Sequence, residues 1–221
     1  MRREQQYLQA MNNNIQTDLF GKKIEAANPI INLKNAELLY QPSFFEKIES
    51  DRIFKKLLET IEWKQDKIRM YGKELPLPRL SAWYGDNNKP YTYSGITLNP
   101  LPWTDELLQI KEKIEAQAKV KFSSVLLNRY RNGQDYVGWH TDAERELGNN
   151  PVIGSVNFGA TRKFQLRRID DHKEKYELEL KHGTLLLMRG ETQHYWQHQV
   201  PKTSTNIGER LNLTFRVIAN N

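Results

Sequence analysis

No cysteine occurs anywhere in the 221 residues. That absence excludes disulfides, thiolate nucleophiles, zinc knuckles and iron–sulfur clusters together. A metal site would have to be built from histidine and carboxylate, and there are only five histidines. Long apolar runs are missing too. The densest, Leu185-Leu186-Leu187-Met188, falls far short of the roughly 20 residues a membrane-spanning helix needs, so no membrane partner is expected. The opening stretch MRREQQYLQAMNNN lacks the apolar segment of a secretory signal. An intracellular monomer is expected, cytoplasmic in a bacterium and nuclear in a eukaryote. What remains is a charged chain, 33 Lys and Arg against 27 Asp and Glu, for a formal charge of +6. That surplus is compatible with a nucleic-acid partner without demanding one.

The organisation reads as helices first and an all-β half afterwards, α+β in class. Residues 1–45 are Asn/Gln-rich at their start and are expected to be an extension, partly disordered or loosely docked. Residues 46–121 hold the helical signals. Ile53, Phe54, Leu57, Leu58 and Ile61 form one stripe, with Ser50 or Asp51 as the cap. A second helix is expected after Pro102-Trp103, capped by Thr104, with Asp105 and Glu106 at its positive end and Leu107, Ile110, Ile114 and Ala118 on its apolar face. Between them, residues 64–100 are punctuated by Pro76, Pro78, Pro90 and Pro100 and by Gly72, Gly85 and Gly95, which suggests short strands and loops outside the core. From residue 122 to 221, seven β-like runs (SSVLLNRY, GSVNFGA, RKFQLRR, YELEL, GTLLLM, HYWQHQV and RLNLTFRVI) point to a sandwich, barrel or jelly roll.

The chemistry concentrates in this second half. Alternation along Arg210-Leu211-Asn212-Leu213-Thr214-Phe215-Arg216 puts Arg210, Asn212, Thr214 and Arg216 on one face. An edge strand with a solvated outer face would look the same, but two arginines framing Asn and Thr also make a donor array for a dianion. In His140-Thr141-Asp142 an imidazole and a carboxylate converge when the chain is extended. One further histidine completes the two-His, one-carboxylate set of non-haem iron oxygenases. His172 lies in a charged loop-like run and His182 precedes Gly183 at a strand start. His194 and His198 are both available as the third ligand, and spacing alone does not choose between them.

The segments NRYRNGQDYVGWHTDAERELGNNPVIGSVNFGATRKFQLRR, HGTLLLMRGETQHYWQHQVPKT and RLNLTFR closely resemble the AlkB family of Fe(II)- and 2-oxoglutarate-dependent dioxygenases, which oxidatively dealkylate nucleic-acid bases. The resemblance runs from about Arg69 to Ile218, takes in PRLSAWYGD and YTYSGITLNP, and leaves out residues 1–45. It implies a double-stranded β-helix (jelly-roll) core with N-terminal helices and a β-hairpin nucleotide-recognition lid. It implies iron ligation by His140, Asp142 and His198, the last from its HxVPK-like context twelve residues before Arg210. It implies 2-oxoglutarate binding by Arg210, Asn212, Thr214 and Arg216 together with Asn128 and Tyr130, the distal carboxylate pairing with Arg210 and its neighbours.

For substrate, the resemblance implies that Tyr91, Tyr93 and Ser94 hold an extruded base, that Glu144 contacts it, and that Tyr71 sits where a duplex-acting relative inserts an aromatic wedge. Arg79 is expected at a phosphate, and the run Arg162, Lys163, Arg167, Arg168 on a phosphate-tracking surface. Ala143 stands where close relatives carry an acidic residue, which bears on base preference. The implied activity is direct-reversal repair of 1-methyladenine and 3-methylcytosine in single- or double-stranded DNA, and in RNA as a further substrate, consuming dioxygen and releasing formaldehyde and succinate. The alternatives are the same chemistry on RNA or a protein side chain, or a non-catalytic binder of damaged nucleic acid.

Overall fold

The structure is a computed structural model that describes residues 29–70, 73–86, 91–93, 96–98 and 100–218, together with residues 16–17 and 23–24. Met1–Ile30 form a unit of their own, in which β1 (Gln16–Thr17) pairs antiparallel with β2 (Lys23–Ile24). The chain continues through β3 (Ile30–Leu33), β4 (Ala36–Gln41), α1 (Lys47–Thr60), β5 (Lys67–Met70), β6 (Lys73–Pro76), β7 (Leu80–Gly85), β8 (Tyr91–Tyr93), β9 (Ile96–Leu98) and α2 (Asp105–Ala118). The second half comprises β10 (Ser124–Tyr130), β11 (Val137–His140), β12 (Ile153–Gly159), β13 (Arg162–Arg168), β14 (Lys175–Leu180), β15 (Thr184–Arg189), the one-turn α3 (Thr192–Tyr195), β16 (Trp196–Val200) and β17 (Arg210–Arg216).

Two sheets dominate. The larger has the order β3-β4-β15-β12-β17-β10-β7 and the smaller β11-β16-β13-β14, while β5-β6 and β8-β9 are separate hairpin pairs. Side-chain alternation divides the apolar residues into two cores. Val125, Leu127, Val156, Leu211, Leu213 and Phe215 pack against Ile53 and Leu57 of α1 and Leu107, Ile110 and Ile114 of α2. The opposite face of the large sheet contributes Leu126, Tyr130, Ile153, Leu186 and Met188, which meet Phe164, Leu166, Leu178, Trp196 and Val200 of the small sheet. Burying each such side chain stabilises the fold by roughly 1.5–3 kcal/mol. The two-sheet core with helices on one outer face agrees with the expected jelly roll.

Several expectations need correction. Of the two readings of the RLNLTFR strand, the solvated edge is the one that falls: β17 is central, flanked by β12 and β10, and all seven of its residues are buried. The extension expected through residue 45 ends too late, because β4 pairs with β15 from Leu185 opposite Gln41 to Arg189 opposite Glu37. Likewise residues 64–100 are not all peripheral. β7 pairs with β10 and is buried from Ser81 to Gly85. Both strands are short and sit away from the main β-rich stretch of sequence, so their partners are visible only in three dimensions.

α2 begins as expected, with the Thr104 side chain accepting from the Leu107 amide and Asp105 and Glu106 in the first turn. α1 begins earlier, at Lys47 after Glu46. Ser50 is inside this helix and donates its hydroxyl to the Phe45 carbonyl. Ile48, in the first turn, is 86% exposed, which hides that turn from an amphipathic pattern. The run HYWQHQV is also not all strand, since His194 and Tyr195 close α3 and extended pairing starts at Trp196.

Candidate metal and cosubstrate site

The site lies between the two sheets, where alternation has brought polar residues into an otherwise apolar interior. On the small sheet, His140 of β11 is the direct cross-strand partner of His198 of β16, with ring centroids 4.2 Å apart. A register shift between Val137 and His140 interrupts β11, and both residues line the same cavity although they are three apart. Asp142 follows two residues beyond the strand and is buried. Its Oδ2 lies 3.7 Å from His198 Nε2, and ligand atoms of His140, Asp142 and His198 all fall within 4.8 Å of one another. His194, the alternative third histidine, is exposed and contacts Asn149 Oδ1 at 3.0 Å. His182 is structural: its Nδ1 accepts from the Gly159 amide, and its Nε2 contacts Asp51. His172 is exposed.

The protonation states suit a cation. Burial would raise the Asp142 carboxyl, but the Arg216 guanidinium, which also hydrogen-bonds it, is the largest opposing influence, and the group is held down at about 2. Burial pushes both imidazoles down, His198 to about 3, so each keeps a lone pair for a metal. His140 Nδ1 lies 2.9 Å from the Gly138 carbonyl. A carbonyl can only accept, so Nδ1 carries the proton and Nε2 faces the site. Two neutral imidazoles and one carboxylate are the donor set of a facial triad. The residues fit iron(II).

The large sheet supplies the other wall. Asn128 and Tyr130 of β10 stand opposite Asn212 and Arg210 of β17. All four line the cavity with Thr214, Arg216 and the triad. Arg216 does not point at open space: its Nη2 donates to Asp142 Oδ1 at 2.7 Å, tying the donor strand to the metal carboxylate. Arg210 is 1% exposed. One of its Nη2 hydrogens goes to Asn157 Oδ1 at 2.5 Å, and its guanidinium lies 4.8 Å over the Tyr130 ring. Its Nε and Nη1 are buried and have no hydrogen-bond partner among the described residues. Burial pushes this guanidinium down to about 10, and Arg162 nearby adds to the depression. A buried cation with open donors is costly on its own and calls for an anion. Asn212 and Thr214 are linked in turn, Thr214 Oγ1 to Asn212 Oδ1 and Asn212 Nδ2 to Ser155 Oγ. Opposite Arg210 in the strand register, off the cavity wall, stands Gly159 with φ 85°. A Cβ there would collide with the Glu209 carbonyl and the Phe54 ring.

Residues 37–216 match the family described as the 2OG-Fe(II) oxygenase superfamily. The chain is 43% identical over 189 residues to the alpha-ketoglutarate-dependent dioxygenase alkB homolog 3 of Mus musculus, covering 80% of this chain and 64% of that protein. It is 38% identical over 184 residues to the DNA oxidative demethylase ALKBH2 of Mus musculus, covering 79% and 77%. This chain belongs to the AlkB family. It spans 62–64% of the length of the alkB homolog 3 relatives it matches. A solved structure, that of OsALKBH1, superposes with a TM-score of 0.61 at 18% identity, covering 84% of this chain and all of that one, which supports the shared fold. Membership identifies iron(II), 2-oxoglutarate and dioxygen as the groups an AlkB site of this construction accommodates.

The remaining expected residues divide. Arg79 is 5% exposed and lines the cavity, its Nε donating to Asn128 Oδ1 at 2.7 Å and its Nη1 to the Tyr136 carbonyl. That burial leaves it almost no surface from which to meet the phosphate it was expected to contact. Glu144 is half-buried at the head of the turn Arg145–Leu147 and is not on the cavity wall, and Ala143 beside it is exposed. Tyr71 and Ser94 lie outside the described residues, as do the side chains of Tyr91 and Tyr93, whose backbones pair with Leu98 and Ile96.

The basic run on β13 does not form one surface. Alternation buries Arg162 and Arg168: the first donates to the carbonyls of Asn132, Asp135 and Pro201, the second to Asp170. Arg167 binds Gln197 Oε1 and stacks over Trp139, and Lys163 pairs with Glu177. Sequence reasoning also missed three contributors. Ser155 and Asn157 of β12 hold Asn212 and Arg210, and Gln193 of α3 accepts from the Asp142 amide. The alternation of GSVNFGA was the available signal for the first two. Nothing in the sequence pattern marks Gln193.

Proposed function

We propose that this protein is an iron(II)- and 2-oxoglutarate-dependent dioxygenase that removes N-linked methyl groups from nucleic-acid bases, with 1-methyladenine and 3-methylcytosine in DNA as its substrates. The observation that carries the reading is one cavity holding both a facial triad and a buried arginine whose Nε and Nη1 have no partner among the described residues. The names of the relatives support the nucleic-acid substrate.

Iron(II) with 2-oxoglutarate and dioxygen supplies the oxidising power that hydroxylates the methyl group, which leaves as formaldehyde while the cosubstrate leaves as succinate and carbon dioxide. The protein's residues bind and orient. His140, Asp142 and His198 hold the metal. The open Nε and Nη1 of Arg210 receive the distal carboxylate of the cosubstrate, and Asn128 and Tyr130 bound the same pocket. Arg216 fixes the angle of the Asp142 carboxylate. Phe164, Leu180 and Val200 on the cavity wall keep the centre dry. The methylated edge of a base is its pairing edge, so the base must leave the stack, at a cost of a few kcal/mol that is smallest when the lesion already blocks pairing. Stacking on an aromatic ring, the role assigned to Tyr91 and Tyr93, returns about 1–3 kcal/mol.

The test supplies iron(II), ascorbate, 2-oxoglutarate and oligonucleotides carrying 1-methyladenine or 3-methylcytosine, as single- and double-stranded DNA and as RNA, and measures formaldehyde and restored base. Turnover on DNA that disappears in His140→Ala is the expected outcome. Absence of turnover on every methylated base, or turnover that survives His140→Ala, rules the proposal out. Faster turnover on RNA would move the substrate to RNA.

A further inference from the structure

The loop that carries Asp142 is held from a side the metal chemistry does not use. Gln193 is 1% exposed, and its Oε1 accepts from the backbone amide of Asp142 at 2.9 Å. Its Nε2 faces Met188 Sδ at 3.6 Å, a weak acceptor that leaves the amide orientation governed by Asp142. One residue on, His194 meets Asn149 at 3.0 Å, so α3 braces the segment after Asp142 at two points. α3 is anchored in turn, because the Thr192 hydroxyl bonds the Arg189 carbonyl and accepts from the Glu37 amide. The strand bearing His198 begins directly after α3.

Asp142 is therefore fixed twice, its carboxylate by Arg216 and its main chain by Gln193. The two restraints do different things. A guanidinium fixes where the carboxylate oxygen points, and a bond to the amide fixes where the residue sits along the chain. The three residues Asp142 to Glu144 have no regular secondary structure of their own to do the latter.

We propose that Gln193 is a positioning residue for the metal centre, setting the register of Asp142 against the two histidines so that the triad is assembled before the metal arrives. The proposal rests on the metal site and is independent of which base is the substrate. A partner that orients a metal ligand typically changes affinity about 10–100-fold when removed.

The experiment is anaerobic titration of the 221-residue chain with iron(II), followed by addition of 2-oxoglutarate to read the charge-transfer absorption. Gln193→Met keeps size and burial but removes the acceptor, and Gln193→Glu keeps an acceptor oxygen at the same reach. The expected result is iron(II) binding weakened about 10-fold in Gln193→Met, with the wild-type affinity largely rescued in Gln193→Glu. Iron binding unchanged in Gln193→Met, even with a lowered melting temperature, would assign Gln193 to packing alone and overturn the proposal. Equal weakening in both variants overturns it as well. Should Gln193→Met fail to fold, Gln193→Asn, whose acceptor is set back by one methylene, must bind iron more weakly than Gln193→Glu. Failure of the wild-type chain to bind iron would instead remove the metal-site reading itself, and failure on every methylated base would leave this inference standing.

Discussion

Two strands of equal length, β13 and β17, each begin and end with arginine, and each buries both of those arginines. On β13 the buried guanidiniums are consumed internally, Arg162 by three main-chain carbonyls and Arg168 by Asp170, Glu174 and the Lys34 carbonyl. On β17, Arg216 is committed to the metal carboxylate, while two nitrogens of Arg210, Nε and Nη1, have no partner among the described residues. Burial and charge are the same; the partners differ. A buried cation whose donors are satisfied within the fold is part of the structure, and one with donors left over is half of a binding site.

The sharpest way to break that contrast is Arg210→Met. Two charge-assisted hydrogen bonds to a carboxylate are worth about 1.5–3 kcal/mol each, which predicts a dissociation constant for 2-oxoglutarate raised roughly 10²–10⁴-fold. Iron binding should stay close to wild type, because Arg210 is not bonded to any of the three ligands. Titrating 2-oxoglutarate into the iron-loaded variant without oxygen checks both statements. Cosubstrate affinity near wild type would place the dianion elsewhere.

Arg162→Met is the matched change on β13. It leaves the carbonyls of Asn132, Asp135 and Pro201 without their donor in a buried region, so a stability loss of about 1–3 kcal/mol is expected in denaturant unfolding. Arg162 also lies 5.7 Å over the Tyr130 ring that Arg210 covers from 4.8 Å, so its charge is felt in the pocket. A change of a few-fold in 2-oxoglutarate affinity, far below that of Arg210→Met, is the expected secondary effect. The comparison fails if the two variants weaken the cosubstrate equally.

The same two strands show what the sequence could and could not tell. Along RLNLTFR alternation is strict, so the polar face was legible from the residues alone, and HxD with a distal histidine was legible as a ligand set. Whether that face met solvent or the interior depended on β10 and β12 lying on either side, and those pairings are separated in sequence by up to 92 residues, as between Ser124 and Arg216. Along RKFQLRR the alternation was equally present. Reading the basic residues as one run ignored that Arg162 and Arg168 share a face with Phe164 and Leu166, and therefore go inward. Gln193 illustrates the remaining limit. A single buried side chain bonded to a main-chain amide 51 residues away has no sequence periodicity to betray it.

A buried carboxylate tests whether internal satisfaction is a general stabiliser here. Glu115 of α2 accepts from the Phe122 amide at 2.8 Å and pairs with Lys121 and Lys111. Burial raises its carboxyl, but these partners outweigh it and hold the group below its ordinary value. A depressed carboxyl contributes stability that is present above the unfolded-state value and is lost as pH falls through the folded one. Glu115→Gln should therefore lower stability by about 1 kcal/mol at neutral pH, read as a melting temperature a few degrees lower. The difference from wild type should begin to shrink as pH falls through the ordinary carboxylate range and close once pH is below the depressed folded-state value. A gap that persists at low pH would show packing, not charge, to be responsible.

The smallest expected effect concerns the outward residues of β13. Lys163 pairs with Glu177 at 2.7 Å, with both side chains well exposed. Exposed pairs of this kind add little to stability, so Lys163→Ala should leave the melting temperature where it is. Its value lies in what it does to nucleic-acid binding. A lysine that neutralises one phosphate contributes about 0.9 to the slope of log affinity against log salt concentration. If β13 tracked a backbone, Lys163→Ala would lower that slope by about this amount for methylated duplex DNA. With Arg162 and Arg168 turned inward, Arg167 held by Gln197 and Trp139, and Lys163 held by Glu177, the slope should not change. A measured drop near one phosphate would show that the Glu177 pair opens to receive DNA. It would also restore the outer face of β13 as a contact surface while leaving the roles of its buried arginines untouched.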